Sequence, residues 1–143
     1  MKNNNYPTWL VPLDIAIRLK EIDFNERCLF AFDIQNNDLY LIQREKKDCV
    51  WYEDISLLYE PVVPTDSFLV PTWEQVLEWF RSKGLFGYVD KLTLVKNKEV
   101  YKFYVKGINN IISDAFNSYE EAREALVKAL VKALIQTYKS EQL

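Results

Sequence analysis

Lysine and tyrosine recur through one short stretch of the chain: Lys91, Lys96, Lys98, Lys102, Tyr104 and Lys106, with Glu99 the one acid among them. Such a set can neutralise phosphates and stack a base on the ring, which is the chemistry of single-strand binding. The same lysines suit the solvent face of a half-buried sheet and guard its edge against pairing, and that plainer reading comes first. The carboxylates Asp33, Asp38, Glu53 and Asp54 are the other groups with chemistry to offer. Residues 33–38 carry oxygen-bearing side chains at alternate positions, as calcium loops do. They lack the glycine at the sixth position, and Arg44 stands where the closing glutamate belongs. A hairpin turn accounts for the same asparagines and aspartates, which tolerate left-handed backbone.

Several chemistries are excluded by what is missing. The chain has no histidine, hence neither the commonest general base nor the commonest zinc ligand. Its two cysteines, Cys28 and Cys49, lack the paired spacing of a zinc site. Cys28 opens an apolar run and reads as a small buried hydrophobe. The three glycines, Gly84, Gly87 and Gly107, cannot assemble a dinucleotide turn or a phosphate loop. The expectation is therefore no catalytic residue, no metal and no cofactor.

The 143 residues, 49% hydrophobic and 15% aromatic with a net charge of −3, have the composition of one soluble globular domain. No apolar run approaches the roughly 20 residues that cross a membrane. The start, Met1-Lys2-Asn3-Asn4-Asn5, has no apolar segment of the secretory kind. A cytoplasmic location without membrane contact is expected, and free cysteines would stay reduced there.

The elements that must position these residues follow from periodicity. A helix begins near Pro12, with Asp14, Arg18 and Glu21 as its polar stripe. Residues 28–34 and 39–43 read as two strands about a Gln-Asn-Asn-Asp turn, with Phe30, Phe32 and Ile34 on one face. Residues 49–60 suit a strand or a short helix equally. Pro61, Pro64 and Pro71 mark residues 61–71 as an extended connection. Thr72-Trp73-Glu74-Gln75 forms a capping box for a second helix that Gly84 ends. Residues 89–95 and 100–106 form a second hairpin, in which Lys102, Tyr104 and Lys106 share one face and Tyr101, Phe103 and Val105 the other. Ser118-Tyr119-Glu120-Glu121 caps a last helix running to about Tyr138. The fold class is α+β: two helix–hairpin units and a C-terminal helix, with the helices on one face of an antiparallel sheet. Residues 1–60 form the first unit and 72–143 the second, within one domain. The first 60 residues carry net −4 and the remainder net +1. Laying the halves over each other at an offset of 64 matches Trp9 with Trp73 and Leu13 with Leu77, but two solutions to one packing problem explain this better than a true repeat.

The last helix repeats Val-Lys-Ala-Leu at 127–130 and 131–134, which widens its apolar arc. Val127, Val131, Leu134, Ile135 and Tyr138 extend beyond one coherent stripe. Either the chain covers them or another molecule does. With Trp79, which lies off the main stripe of its own helix, they form the candidate interface for a protein partner or for self-association as a homodimer.

The segment Pro71-Thr72-Trp73-Glu74-Gln75-Val76-Leu77-Glu78-Trp79-Phe80-Arg81-Ser82-Lys83-Gly84, with Ser118-Tyr119-Glu120-Glu121-Ala122 further on, resembles a family of small phage and prophage proteins of gut bacteria. The likeness covers residues 70–135. It implies a β-hairpin between the two motifs and a final helix opening at Ser118, and it brings no activity with it. The expected function is a non-enzymatic binding protein of phage or mobile-element origin acting on a host protein. The alternative is a nucleic-acid-binding accessory protein using the basic second hairpin, which the whole-chain pI of about 5.1 puts second.

Overall fold

Pro12 opens the first helix, as the residue before it and not as its first turn. Its backbone is extended (φ −65°, ψ 161°), and its carbonyl accepts the N–H groups of Ile15 and Ala16 at 3.1 and 3.0 Å. Helix α1 (Leu13–Glu21) then carries Asp14 in its first turn and Arg18 and Lys20 in its last, the order that its dipole favours. In the computed structural model the described residues are 6–35, 37–41, 67–107 and 110–141. Cys49, Trp51, Glu53, Asp54, Pro61 and Pro64, together with the ambiguous stretch 49–60, lie outside them.

The chain divides into two compact units, residues 1–73 and 74–143. In the first, α1 is followed by β1 (Phe30–Asp33) and β2 (Asp38–Leu41), joined by the expected turn. The Gln35 N–H donates to Asp33 Oδ1 at 3.0 Å, and Asn37 takes φ 51°. A third strand, β3 (Ser67–Val70), pairs with the other edge of β1, so the order is β2-β1-β3, all antiparallel. The prolines had suggested a plain connection there. The run Ser67-Phe68-Leu69-Val70 falls between Pro64 and Pro71, and the outermost position of the sheet is where nearby prolines are tolerated. Ala31 and Phe32 point to opposite faces of β1, and both are buried. Helix α1 packs on β3, where Lys20 Nζ lies 4.8 Å from the centre of the Phe68 ring. The segment before α1 is tied to the end of the unit: the Val11 N–H donates to Pro71 O at 3.0 Å and Trp73 Nε1 to Thr8 O at 2.9 Å.

Helix α2 (Trp73–Ser82) begins at the division, and the second unit continues with β4 (Phe86–Thr93), a 3₁₀ turn (Val95–Asn97), β5 (Glu99–Lys106), β6 (Ile111–Ile112) and helix α3 (Tyr119–Glu141). The fold class is α+β, and each unit contains a helix followed by a hairpin. Among the described residues the strands form two three-stranded sheets, the second ordered β4-β5-β6. Helix α3 opens as its capping signal requires, with the Glu121 N–H donating to Ser118 Oγ at 3.2 Å. It packs along β4 and β5. No helix among the described residues is long and apolar enough to cross a membrane.

The two short helices end alike. After α2, Leu85 N–H donates to Phe80 O and Gly84 N–H to Arg81 O, both at 2.9 Å, with Gly84 left-handed at φ 84°. After α1, Phe24 N–H donates to Leu19 O at 2.9 Å and Asp23 N–H to Lys20 O at 3.2 Å, with Asp23 at φ 66°. Both are Schellman caps, each closed by an apolar pair, Phe80 with Leu85 and Leu19 with Phe24. The cap residues lie 61 apart, and Trp9 precedes a helix that Trp73 begins, so the offset of 64 does not superpose the elements.

Candidate functional site

The second hairpin builds one closed face and one open face from a single alternation. In register, Gly87, Val89 and Lys91 of β4 oppose Val105, Phe103 and Tyr101 of β5. This is the side on which α3 packs. A Cβ added at Gly87 would meet the δ-methyls of Leu126 and Leu130 at 2.8 and 3.0 Å, so the missing side chain lets the helix lie close to the strand. Tyr101 meets Tyr119 edge to face, and Phe103 stacks near Phe116. At the far end Lys91 Nζ pairs with Glu99 at 3.1 Å. The hydrogen bond and the charge of Glu99 raise the Lys91 pKa.

The opposite parity carries Phe86, Tyr88 and Asp90, which oppose Lys106, Tyr104 and Lys102, and beyond Tyr104 lies Ile112 of β6. Phe86 is 51% exposed, Tyr88 43% and Ile112 68%. Tyr88 and Tyr104 stack on each other, their ring centres 5.1 Å apart and their planes 17° apart. Lys106 Nζ lies 5.9 Å from the centre of the Tyr88 ring. The row Tyr88–Tyr104–Ile112 therefore crosses three strands, about 10 Å, with ammonium groups beside it. Towards the turn this face closes again: Val100 is buried and Leu92 half-buried. Charge is divided between the units. Residues 74–143 hold 11 basic against 9 acidic residues, whereas residues 1–73 hold 7 against 12. The acidic pI belongs to the first unit, not to the one bearing the aromatic row.

Of the six residues singled out in the basic hairpin, the structure brings three together: Lys102, Tyr104 and Lys106. Lys91 is on the closed parity with Glu99, and Lys96 and Lys98 are exposed at the turn, where Lys96 and Asn97 are left-handed at φ 68° and 59°. Phe86, Tyr88 and Ile112 lie outside the hairpin expected from the sequence. That hairpin begins at Val89, yet Phe86-x-Tyr88-x-Asp90-x-Leu92 alternates, and the period-two pattern extended back through Gly87 takes in Phe86 and Tyr88, though not Ile112 on β6.

The apolar strip on the last helix needs correction. Val127, Val131 and Leu134 are buried, and Ile135 and Tyr138 are half-buried, so the arc is not an outward surface. Trp79 is buried as well, edge-on to Phe80 at 5.1 Å with Lys83 Nζ 5.2 Å from its ring centre. A wide arc on a helix lying directly on a sheet is covered further round than a single stripe suggests. Asp33 and Asp38 oppose each other at the β1–β2 turn. Among the described residues no three of His, Cys, Asp and Glu gather as a metal site. Cys28 is buried, and burial, with Glu26 nearby, pushes its pKa to about 12, which keeps the thiol protonated and unreactive. No protein-family model, curated protein or solved structure matches the chain.

Proposed function

We propose that this chain is a non-enzymatic binding protein that takes single-stranded nucleic acid on the open face of its second sheet. The carrying observation is the stacked Tyr88–Tyr104 pair on that face, beside Lys102 and Lys106. Stacking a base on a tyrosine is worth about 1–3 kcal/mol and tolerates any base. Phe86 and Tyr88 stand two residues apart on one face, about 7 Å, a spacing that an extended strand can follow base by base. Lys106, beside the Tyr88 ring, neutralises the phosphate between the two bases. The affinity is modest and salt-dependent, with a slope of log K against log salt near −0.7 for that one phosphate on a single strand.

Titration of the protein with thymidine oligonucleotides at low salt tests this reading. Replacing Tyr88 and Tyr104 together by alanine weakens binding at least tenfold, since each stacked base is worth about 1–3 kcal/mol. Replacing Lys106 by alanine makes the salt slope shallower by about 0.7. A flat titration at low salt refutes the proposal. A partner protein is the second reading, and one observation favours it: Trp9, 53% exposed, stands edge to face with Phe30 at 5.4 Å on the first unit. Tryptophan is one of the residues enriched among the anchors of such contacts.

A further inference from the structure

We infer that Asp90 ends the nucleic-acid site and keeps it short, a footprint of two bases on Phe86 and Tyr88; this rests on the single-strand reading above. Asp90 is exposed on the same parity as Phe86 and Tyr88 and directly opposes Lys102. A strand running along β4 from Phe86 meets the Asp90 carboxylate one step past Tyr88, about 7 Å on. There Asp90 offsets the attraction of Lys102, leaving Lys106, opposite Phe86, as the dominant phosphate partner. Past Asp90 the face has no open ring to offer, because Leu92 is half-buried and Val100 buried. Charge and cover therefore stop the site at the same point.

The charge effect has a definite size. One unit charge at about 7 Å under water-like screening changes an equilibrium about threefold. Asp90→Asn, which keeps the shape and removes the charge, therefore tightens binding about threefold at low salt and leaves it unchanged at high salt. Glu120→Gln, an exposed acid in the first turn of α3 on the closed side of the sheet, changes nothing.

The experiment is a titration of the isotope-labelled protein with thymidine oligonucleotides of two, four and eight residues, followed by amide shifts. With a two-base footprint the affinity rises only with the number of registers available, threefold from two to four residues and sevenfold to eight, and the shifts stay within strands β4, β5 and β6. A steeper rise with length, or an Asp90→Asn variant that binds like the parent, overturns the short footprint while the single-strand reading stands. No shift with any oligonucleotide, or shifts confined to other elements, overturns the reading and the footprint with it.

Discussion

The two units treat a central strand in opposite ways. In the first, adjacent residues of β1, Ala31 and Phe32, are both buried, so the sheet is covered on either side. In the second, β5 has Phe103 and Val105 buried on one parity, while the other, past buried Val100 and half-buried Lys102, carries the half-buried Tyr104 and the exposed Lys106. A strand closed on both sides contributes only to stability. A strand closed on one side can keep aromatic rings at the surface without unfolding, because the closed side carries the packing. Deep burial in one unit and ring exposure in the other therefore predict different responses to the same kind of change.

The largest contrast is in truncation. Phe32→Ala is expected to cost about 3–5 kcal/mol, as loss of a fully buried phenylalanine does, whereas Tyr104→Ala costs less than about 1 kcal/mol of stability and instead lowers binding. Urea denaturation of both variants checks this, and equal losses would break the contrast. Alkaline pH should single out the first unit. Folded Cys28 keeps its proton up to about pH 12, while an unfolded thiol releases it near 9, so above pH 9 the unfolded state binds fewer protons. Stability from this group is intact below pH 9 and falls by about 1.4 kcal/mol per unit above it. Burial, with Asp14 second, raises Tyr6 to about 12 and adds to the fall above pH 10. Cys28→Ala should flatten the limb between pH 9 and 10, measured as urea midpoints across that range.

On the closed side of the second unit, Gly87→Ala should cost about 1–3 kcal/mol, because the leucine methyls of α3 must move aside. The leucine ends are flexible, so thermal melting should show a lower midpoint with cooperativity retained. The two helix caps give the smallest effect. Gly84→Ala meets no atom within 4 Å, so its cost of about 1 kcal/mol is conformational alone. Asp23→Gly relaxes the same left-handed position in the first unit and should gain about 0.5 kcal/mol. Opposite signs in the two midpoints would establish that the caps are equivalent in geometry and unequal only in residue.

Much of this was legible in the chain because it is local. The Ser118 cap and the Gly84 stop are each set by neighbours within five residues and are found as read, while the first hairpin turns one residue earlier than read, with Asp38 already in β2. Tyr104 flanked by Lys102 and Lys106 on one face needed only the period-two rule. What escaped reading depends on distant segments. Strand β3 exists because β1 offers it an edge about 35 residues away. The cover over Val127, Val131 and Leu134 is likewise tertiary, and no helical wheel can register it. Phe86 and Tyr88 fall between these cases: their alternation was visible, but Gly87 between them reads as a break until the helix that requires it is in view.

A backbone has two sides, so the bare α-carbon at Gly87 also governs what happens away from the helix. With nothing wedged beneath it, the strand is not levered upward, and the flanking rings of Phe86 and Tyr88 keep a level stance. A bulkier residue there would tilt both outward rings from behind, altering the outer surface without touching it.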